Sequence, residues 1–521
     1  MSVAGASVIT MVPWIETRRK AVKPYRVCRA GPIVVIAILL LTGCAANRSF
    51  VGRDPSRASY GAYLRGLMLE RSSRLPDALR AYQSALEHDH HSPLLHVRLG
   101  STYVKLGQMD RALLEFEKAL LVDPNHPEAL RWIAMLHAAQ GELDQAVVAY
   151  ERLMRVESDD QFVISTLADL YVLQGELPKA IEFYHRLIKE FGSSSQLHFN
   201  LGVLYGRLGR FNDAAQELSR ALELSPNSLE IRVALGLTYE LSGAFDKAAA
   251  HYEEAIRLDP FNGRLYHYAA QAYFNEKHYA EAVASYQAAL DLSTSDLDAI
   301  MGLVRVWLTQ RQFNQATTLL AEKLEELDHP PELYVALGIV YREAKQNQEA
   351  LRAFEQAIYT KPDYAQAYFY LAAQLDQLGH RKDARANLRR TLELDQNHVD
   401  AMNYLGYLNA EEGVDLEEAR SLIQRAIELD PENGAYVDSL GWVYYKMGRT
   451  EEAIRQLERA AELLDTDPVI FEHLGDAYFE QHDFEKAKKN WQRALELDPE
   501  LSQIQEKLNQ LSPHQTLLPM P

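Results

Sequence analysis

Cysteine is almost absent from this chain. Its 521 residues contain two, Cys28 and Cys44, and both lie close to the start. Two cysteines at one end cannot supply the disulfide framework of a small secreted domain or the ligand set of a structural zinc site. If a leader is removed before Cys44, the mature chain keeps one cysteine. We therefore expect neither disulfides nor cysteine-bound metal.

Sequence signatures of catalysis are missing too. The chain has no Gly-rich phosphate loop, no HExxH, no GxSxG and no CxxC motif. The densest cluster of candidate ligands is His88-Asp89-His90-His91, with His96 nearby. A metal site needs three or four ligands on a fixed scaffold, and we interpret this segment as a solvated turn followed by a helix start. We therefore expect no enzyme activity, no cofactor, no metal and no small-molecule substrate.

Positive charge is scarce: 54 Lys and Arg face 73 Asp and Glu, for a formal net charge of −19. Residues 1–43 hold six basic residues and one acidic residue, so the chain without them is more acidic still. An acidic surface repels nucleic acid and anionic headgroups, which argues against a DNA or RNA partner.

What the chain does contain is a period of 34 residues. Thirteen alanines mark it, with eleven intervals of 34 and one of 35. They are Ala78, Ala112, Ala146, Ala180, Ala214, Ala248, Ala282, Ala316, Ala350, Ala384, Ala419, Ala453 and Ala487. A second series of mostly small residues runs twelve positions upstream, from Gly66 to Gly475. Two small residues per period let two helices approach closely, so the period predicts stacked helix pairs.

Repeat 2 reads PLLHVRLGSTYVKLGQMDRALLEFEKALLVDPNH, from Pro93 to His126. Gly107 is a predicted helix stop, and Asp123-Pro124 should end the second helix. The pattern of Leu-Gly, Tyr, Ala, Phe and Pro resembles the tetratricopeptide repeat (TPR) family. The resemblance covers 59–501 as thirteen repeats and implies an all-α, right-handed superhelical solenoid of about thirteen helix pairs.

Three local departures from the repeat stand out. One extra residue falls between Gly406 and Ala419, where it should lengthen the turn inside repeat 11. Repeat 8 has Val304 at the small-residue position and Lys323 at the late alanine, which predicts a looser joint. Residues 502–521 predict a short capping helix followed by a loose tail.

The first 43 residues resemble a bacterial lipoprotein signal. Six basic residues precede the apolar run Ile33–Leu41, which is too short to span a bilayer. Leu41-Thr42-Gly43-Cys44 resembles a lipobox, which implies cleavage after residue 43 and acylation of Cys44. Ala45 implies sorting to the outer membrane with the chain facing the periplasm, and 44–58 would be a lipidated tether. An ordinary cleaved signal remains an alternative, and translation starts at Met1 or Met11.

Because the sequence shows no catalytic motif, we expect the function to lie on the concave surface that binds peptides in TPR proteins. We predict a protein-binding groove on the first helices of repeats 10–12. Its members are Phe369, Tyr370, Asn403, Tyr404, Tyr407, Asp438, Trp442 and Tyr445. Large apolar area with a few polar groups suits protein recognition. The alternative is that these rings pack against the next repeat.

The C-terminal repeats also resemble a narrower group of envelope lipoproteins. The residues that carry this likeness are AMNYLGYLNAEEGVDLEEARSLIQRAIELDPENGAYVDSLGWVYYKMGRTEEAIRQLERA (401–460) and FEHLGDAYFEQHDFEKAKKNWQRAL (471–495). That group includes outer-membrane adaptors of periplasmic carboxy-terminal processing proteases. The resemblance implies a lipid-anchored scaffold that recruits envelope proteins, such as a protease or its substrates. A structural subunit of an exopolysaccharide, pilus or protein export machine is the alternative.

Overall fold

A computed structural model describes residues 57–514. This part of the chain is helical, with 27 helices and no strand, and the predicted all-α solenoid of helix pairs is confirmed. The helices are α1 (Arg57–Arg71), α2 (Leu75–His88), α3 (Pro93–Lys105), α4 (Met109–Val122), α5 (Pro127–Gln140), α6 (Leu143–Val156), α7 (Gln161–Gln174), α8 (Leu177–Phe191), α9 (Ser195–Arg207), α10 (Phe211–Leu224), α11 (Leu229–Leu241), α12 (Phe245–Leu258), α13 (Gly263–Asn275), α14 (Tyr279–Leu292), α15 (Leu297–Thr309), α16 (Phe313–Glu326), α17 (Pro331–Glu343), α18 (Asn347–Thr360), α19 (Ala365–Gln377), α20 (Arg381–Leu394), α21 (Val399–Glu412), α22 (Leu416–Leu429), α23 (Gly434–Lys446), α24 (Thr450–Leu463), α25 (Pro468–Glu480), α26 (Phe484–Leu497) and α27 (Ser502–His514).

The described residues form two compact units, 57–278 and 279–514. The first unit holds α1–α13 and the second holds α14–α27. Odd-numbered helices up to α25 are the first helices of the thirteen repeats, and even-numbered helices are the second. No helix within 57–514 combines the length and the apolar character that crossing a bilayer demands.

In several repeats, an aromatic ring of the second helix packs directly against a glycine of the first helix. A Cβ atom added to the glycine of the first helix would lie within 2.6 Å of an aromatic ring of the second helix and would therefore overlap it. The pairs are Gly66 with Tyr82, Gly100 with Phe116, Gly236 with Tyr252, Gly338 with Phe354, and Gly475 with Trp491. The small-residue series is therefore explained by close approach. The alanine series is buried as well, with Ala78, Ala248 and Ala487 at 0% exposure.

Helix ends follow the local sequence. Asp160 caps α7 by accepting hydrogen bonds from the amides of Phe162 and Val163, and Ser194 caps α9 in the same way through Leu197. Gly107, the predicted stop, follows the end of α3 with φ 73°, a value that favours glycine. Asp123 is the C-cap of α4, directly before Pro124.

Repeat 8 departs from the glycine pattern in a specific way. Val304 and Leu320 are both buried, so a branched residue fills the position that is small elsewhere. Gly302, two residues earlier, instead receives the ring of Tyr286 from the preceding repeat, so closely that an added Cβ would overlap that ring. Lys323 is buried and its Nζ contacts Glu326 at 2.5 Å. The helix pair of repeat 8 therefore packs through Val304 and Leu320, and the glycine contact here crosses a repeat boundary.

The two remaining departures lie in the second unit. In repeat 11, α21 extends to Glu412, and the turn that follows contains two left-handed residues, Gly413 (φ 67°) and Asp415 (φ 48°). Like α5 and α7, α21 has 14 residues, but three residues separate it from the next helix where two follow α5 and α7, so relative to those repeats the extra residue lies in the turn. At the C-terminal end, α27 buries Ile504 and Leu511 against the apolar cluster of repeats 11–13.

Candidate protein-binding surface

The predicted groove residues lie on α19, α21 and α23, and we call this set the aromatic stripe: Phe369, Tyr370, Asn403, Tyr404, Tyr407, Asp438, Trp442 and Tyr445. Residues three or four apart on a helix share a face, so Tyr407 with Asn403 and Tyr445 with Trp442 form neighbouring pairs. Three of the stripe's rings belong to buried cores. Phe369 and Tyr370 belong to the core of repeats 9–11, and Trp442 belongs to the core of repeats 11–13.

Trp442 connects three consecutive repeats. Its indole stacks on Tyr445 within α23, with ring centroids 4.8 Å apart. On one side its Nε1 donates a hydrogen bond of 2.6 Å to Glu411 in repeat 11. On the other side its ring stacks on His473 in repeat 13, and Lys446 lies 4.6 Å above its centroid. With 7% of its surface exposed, Trp442 is a joint between repeats and not a free anchor.

Asp438 and His473 form a buried ion pair beneath this joint. Both carboxylate oxygens of Asp438 lie 3.0 Å from Nδ1 of His473, and both side chains are buried. Burial alone would lower the pKa of His473, but the charge and hydrogen bond of Asp438 outweigh it and raise that pKa above its usual value. Asp438 was predicted as a polar member of the groove, and in the structure its carboxylate is paired with His473.

Phe369 and Tyr404 make a second interlocked group. Phe369 is 3% exposed and its ring lies 4.8 Å from His398 and 6.4 Å from Tyr404. The hydroxyl of Tyr404 donates a 2.8 Å hydrogen bond to Asp376 of the preceding repeat. Tyr370 is buried as well and stacks on Phe354 at 5.9 Å. For Phe369, Tyr370 and Trp442, the structure favours packing between repeats over direct contact with a partner.

Four members of the stripe keep part of their surface open: Asn403, Tyr404, Tyr407 and Tyr445. Tyr407 and Tyr445 differ from Tyr404, because among the described residues neither hydroxyl has a hydrogen-bond partner. Burial of its ring raises the pKa of Tyr407, and the charges of Glu411, Asp438 and Glu472 raise it further. The hydroxyl therefore stays protonated and available as a donor. The side-chain oxygen of Asn403 also lacks a partner within the described residues.

At the C-terminal end of the stripe, α27 forms ion pairs with α25. Lys507 of α27 contacts Glu472 at 2.8 Å and Asp476 at 2.7 Å, and both acids belong to α25. Burial raises the pKa of Asp476 despite this lysine. Gln503 donates a further hydrogen bond to Glu472. Both carboxylates at this end thus have a partner on α27.

Two histidine–glutamate pairs, each with a buried histidine, were not anticipated from the sequence. His96 and Glu115 lie 2.7 Å apart in repeat 2, and His198 and Glu217 lie 2.6 Å apart in repeat 5. The pairs occupy the same positions of repeats three periods apart, and that shared register was the available signal. His96 is thus buried, unlike the exposed His88, His90 and His91. Within the described range, no group of three or more candidate ligands is placed to hold a metal ion. Cys44, the predicted lipidation site, lies outside the described residues.

Known proteins share these repeats. A model described as "Tetratricopeptide repeat" matches residues 97–161, 199–263, 233–296 and 374–434. Others with this description match 166–194, 331–364 and 468–501, and one described as "TPR repeat" matches 441–481. The TPR repeat-containing protein PA4667 of Pseudomonas aeruginosa is 25% identical over 131 residues, which cover 25% of this chain and 22% of that protein. Anaphase-promoting complex subunit 3 of Schizosaccharomyces pombe is 22% identical over 183 residues, 35% of this chain and 27% of that protein.

Among solved structures, that of the APC/C hetero-tetramer Cut9-Hcn1 covers 82% of this chain and 93% of its own, with 16% identity and a TM-score of 0.40. Yeast Tom70 covers 87% of this chain and 100% of its own, with 16% identity and a TM-score of 0.37. The chain spans only 22% and 27% of the length of the two curated relatives named above. Repeat models cover most of 97–501, and the helix pairs they describe are present in the fold. The chain belongs to the tetratricopeptide repeat family.

Proposed function

We propose that this chain is a non-enzymatic scaffold, anchored in the cell envelope by a lipid on Cys44, whose aromatic stripe binds a protein partner. The partner is an envelope protein, such as a periplasmic protease or a protein that the protease degrades. TPR folds serve protein–protein interaction, and this supports the scaffold class. The lipobox-like segment Leu41–Cys44 supports the anchor.

One observation carries the choice of surface: the unpaired hydroxyls of Tyr407 and Tyr445 lie on a rigid framework. Trp442 and the pair of Asp438 with His473 hold α21, α23 and α25 in a fixed arrangement. Tyrosines held in this way combine apolar area with a hydrogen-bond donor at little entropic cost, as binding anchors do. The binding role therefore falls on Tyr407 and Tyr445, with Trp442 as their support.

To test the surface, a Tyr407→Ala, Tyr445→Ala double variant is crosslinked to envelope proteins, and the amount of captured protein is compared with that captured by the natural chain. Because anchors at the centre of an interface cost about 2 kcal/mol or more when truncated, affinity should fall about thirtyfold or more per anchor. Tyr359→Ala is the matched control, since Tyr359 lies outside the stripe on α18 and is 83% exposed. Helical circular dichroism should stay unchanged in both variants. Equal capture by the double variant and the control would exclude this surface.

The anchor is tested separately with Cys44→Ser. The variant should stop incorporating labelled palmitate and should leave the membrane fraction. An unchanged level of labelling would show that Cys44 is not the attachment point. Since this experiment does not involve the stripe, either half of the proposal can fail alone.

A further inference from the structure

An exposed apolar line runs along α1, the first helix of repeat 1. Tyr60, Leu64 and Met68 follow one another at intervals of four residues, so they share one face. Their exposed fractions are 56%, 41% and 71%. Three large apolar side chains in one row make a contiguous patch, in contrast to the scattered apolar residues that any surface carries.

The register of the repeats explains why part of this face is open. Thr102 stands in repeat 2 where Met68 stands in repeat 1, and it is 0% exposed because repeat 1 packs over it. Leu94, at the position of Tyr60, stays 37% exposed behind repeat 1, so that position is open in both repeats. The corresponding face of α1 is where a preceding repeat would pack. An end repeat normally presents polar residues there to stay soluble, and this one presents Tyr60, Leu64 and Met68.

Three exposed arginines frame the apolar line. Arg57 lies three residues before Tyr60, Arg71 lies three residues after Met68, and Arg65 lies beside the row. The helix has one acidic residue, Glu70, and its carboxylate is already engaged by Lys105 and by the hydroxyl of Tyr82. A chain of net charge −19 therefore carries a basic, apolar face at this end. The charge of this face is therefore opposite in sign to the net charge of the chain.

The charges decide between the possible occupants of this face. A symmetric contact with a second copy would set three arginines against three arginines, which is unfavourable. An anionic bilayer instead offers phosphates to the arginines and an interfacial layer to the three apolar side chains. Arginine can bury its stem beside such side chains while its guanidinium reaches the headgroups. Basic residues near an anionic membrane surface each favour binding.

The chain before α1 also fits a membrane. Twelve residues lie between Cys44 and Arg57, so the two are thirteen steps apart along the chain and at most about 45 Å apart when it is fully extended. A lipid on Cys44 would hold α1 within that distance of the bilayer. We propose that the α1 face, formed by Arg57, Tyr60, Leu64, Met68 and Arg71, lies on the headgroup surface of an anionic bilayer. This inference rests on the proposed anchor only for the nearness of the bilayer, whereas the contact itself depends on the side chains of the α1 face and can be tested without the acyl chain.

The experiment places a fluorophore at one position and measures its quenching by brominated lipids. The full chain carries Cys28→Ser and Cys44→Ser, so that a single introduced cysteine takes the label. Met68→Cys reports on the α1 face, and Leu121→Cys is the control, because Leu121 lies on α4 and is 83% exposed. Vesicles contain phosphatidylethanolamine with or without phosphatidylglycerol. All variants retain residues 1–43, so any binding of this leader to the vesicles is the same in each of them.

The label at position 68 should be quenched and shifted to shorter wavelength on vesicles with phosphatidylglycerol, while the label at position 121 stays unchanged. Adding Arg57→Gln, Arg65→Gln and Arg71→Gln should abolish the difference. Equal signals at 68 and 121, or no signal at 68, overturn the inference. A concentration-dependent blue shift at 68 without vesicles identifies a second copy as the occupant and also overturns it. Because Cys44→Ser removes the proposed acylation site, the quenching result does not depend on the outcome of palmitate labelling or of partner capture.

Discussion

The indole of Trp442 and the imidazole of His473 stack with centroids 4.0 Å apart and planes 15° apart, although the two residues belong to different repeats. Since Asp438 holds His473 from the side of repeat 12, the stack and the ion pair fix α23 against α25 together. The surface that carries Tyr407 and Tyr445 thus depends on contacts beneath it.

Trp442→Ala should lower the free energy of unfolding by about 3–5 kcal/mol, the usual cost of removing a buried aromatic side chain. The loss should be confined to repeats 11–13, because a solenoid repeat contacts mainly its neighbours. Hydrogen exchange of the backbone amides can locate it. Tyr359→Ala, at an exposed position, should change stability by less than about 0.5 kcal/mol. Normal protection of α23 and α25 in Trp442→Ala would contradict the assignment of Trp442 as a joint.

Stability should fall above neutral pH through His473. Because Asp438 raises the folded-state pKa of His473, the pair contributes fully below about pH 6.5, the unfolded pKa of histidine. The contribution is lost as pH rises through the higher folded-state pKa. The difference in urea midpoint between the natural chain and His473→Gln should therefore shrink from pH 5.5 to pH 9. His91→Gln, an exposed histidine, should show no such trend. A difference that grows with pH would contradict the raised pKa.

Two glycines of α9 should respond oppositely to the same substitution. A Cβ at Gly202 would lie 2.5 Å from Cγ of Leu218 and 3.2 Å from the carbonyl oxygen of Ala214, whereas nothing lies within 4 Å at Gly206. Gly202→Ala should destabilise by roughly 1–3 kcal/mol through overpacking. Gly206→Ala should stabilise by about 0.5–1 kcal/mol, because alanine favours the helix. Urea unfolding of both variants tests the pair, and equal shifts would refute the close-contact explanation.

Overpacking one helix pair should open the chain locally. Ala248 is 0% exposed in α12, and Ala248→Leu should cost roughly 1–3 kcal/mol there. Limited proteolysis should then cut first near repeat 6. Ala250→Leu in the same helix places the same side chain at an exposed position and should leave the digestion pattern unchanged. Simultaneous loss of the whole chain would argue against independent repeats.

The period predicted the fold because alanine and glycine report contacts inside a single repeat. Gly100 and Phe116 are 16 residues apart, so one stretch of sequence contains both partners. The candidate site was harder to predict, since the burial of Trp442 depends on Glu411 and His473 in the flanking repeats. Helical periodicity places Trp442 on the correct face. Whether that face is open depends on the side chains that its neighbours bring to it.

The packing of a ring against a glycine also affects how such a chain can gain or lose repeats. When Gly100 and Phe116, or Gly236 and Tyr252, lie within one repeat, a gene segment encoding that repeat carries both halves of the fit. Duplication or deletion of the segment then leaves the innermost packing of the pair intact. Gly302 breaks this rule, because its ring comes from Tyr286 of the repeat before. Any repeat placed directly before repeat 8 would therefore have to carry a ring at the position of Tyr286, as repeat 6 does with Tyr252.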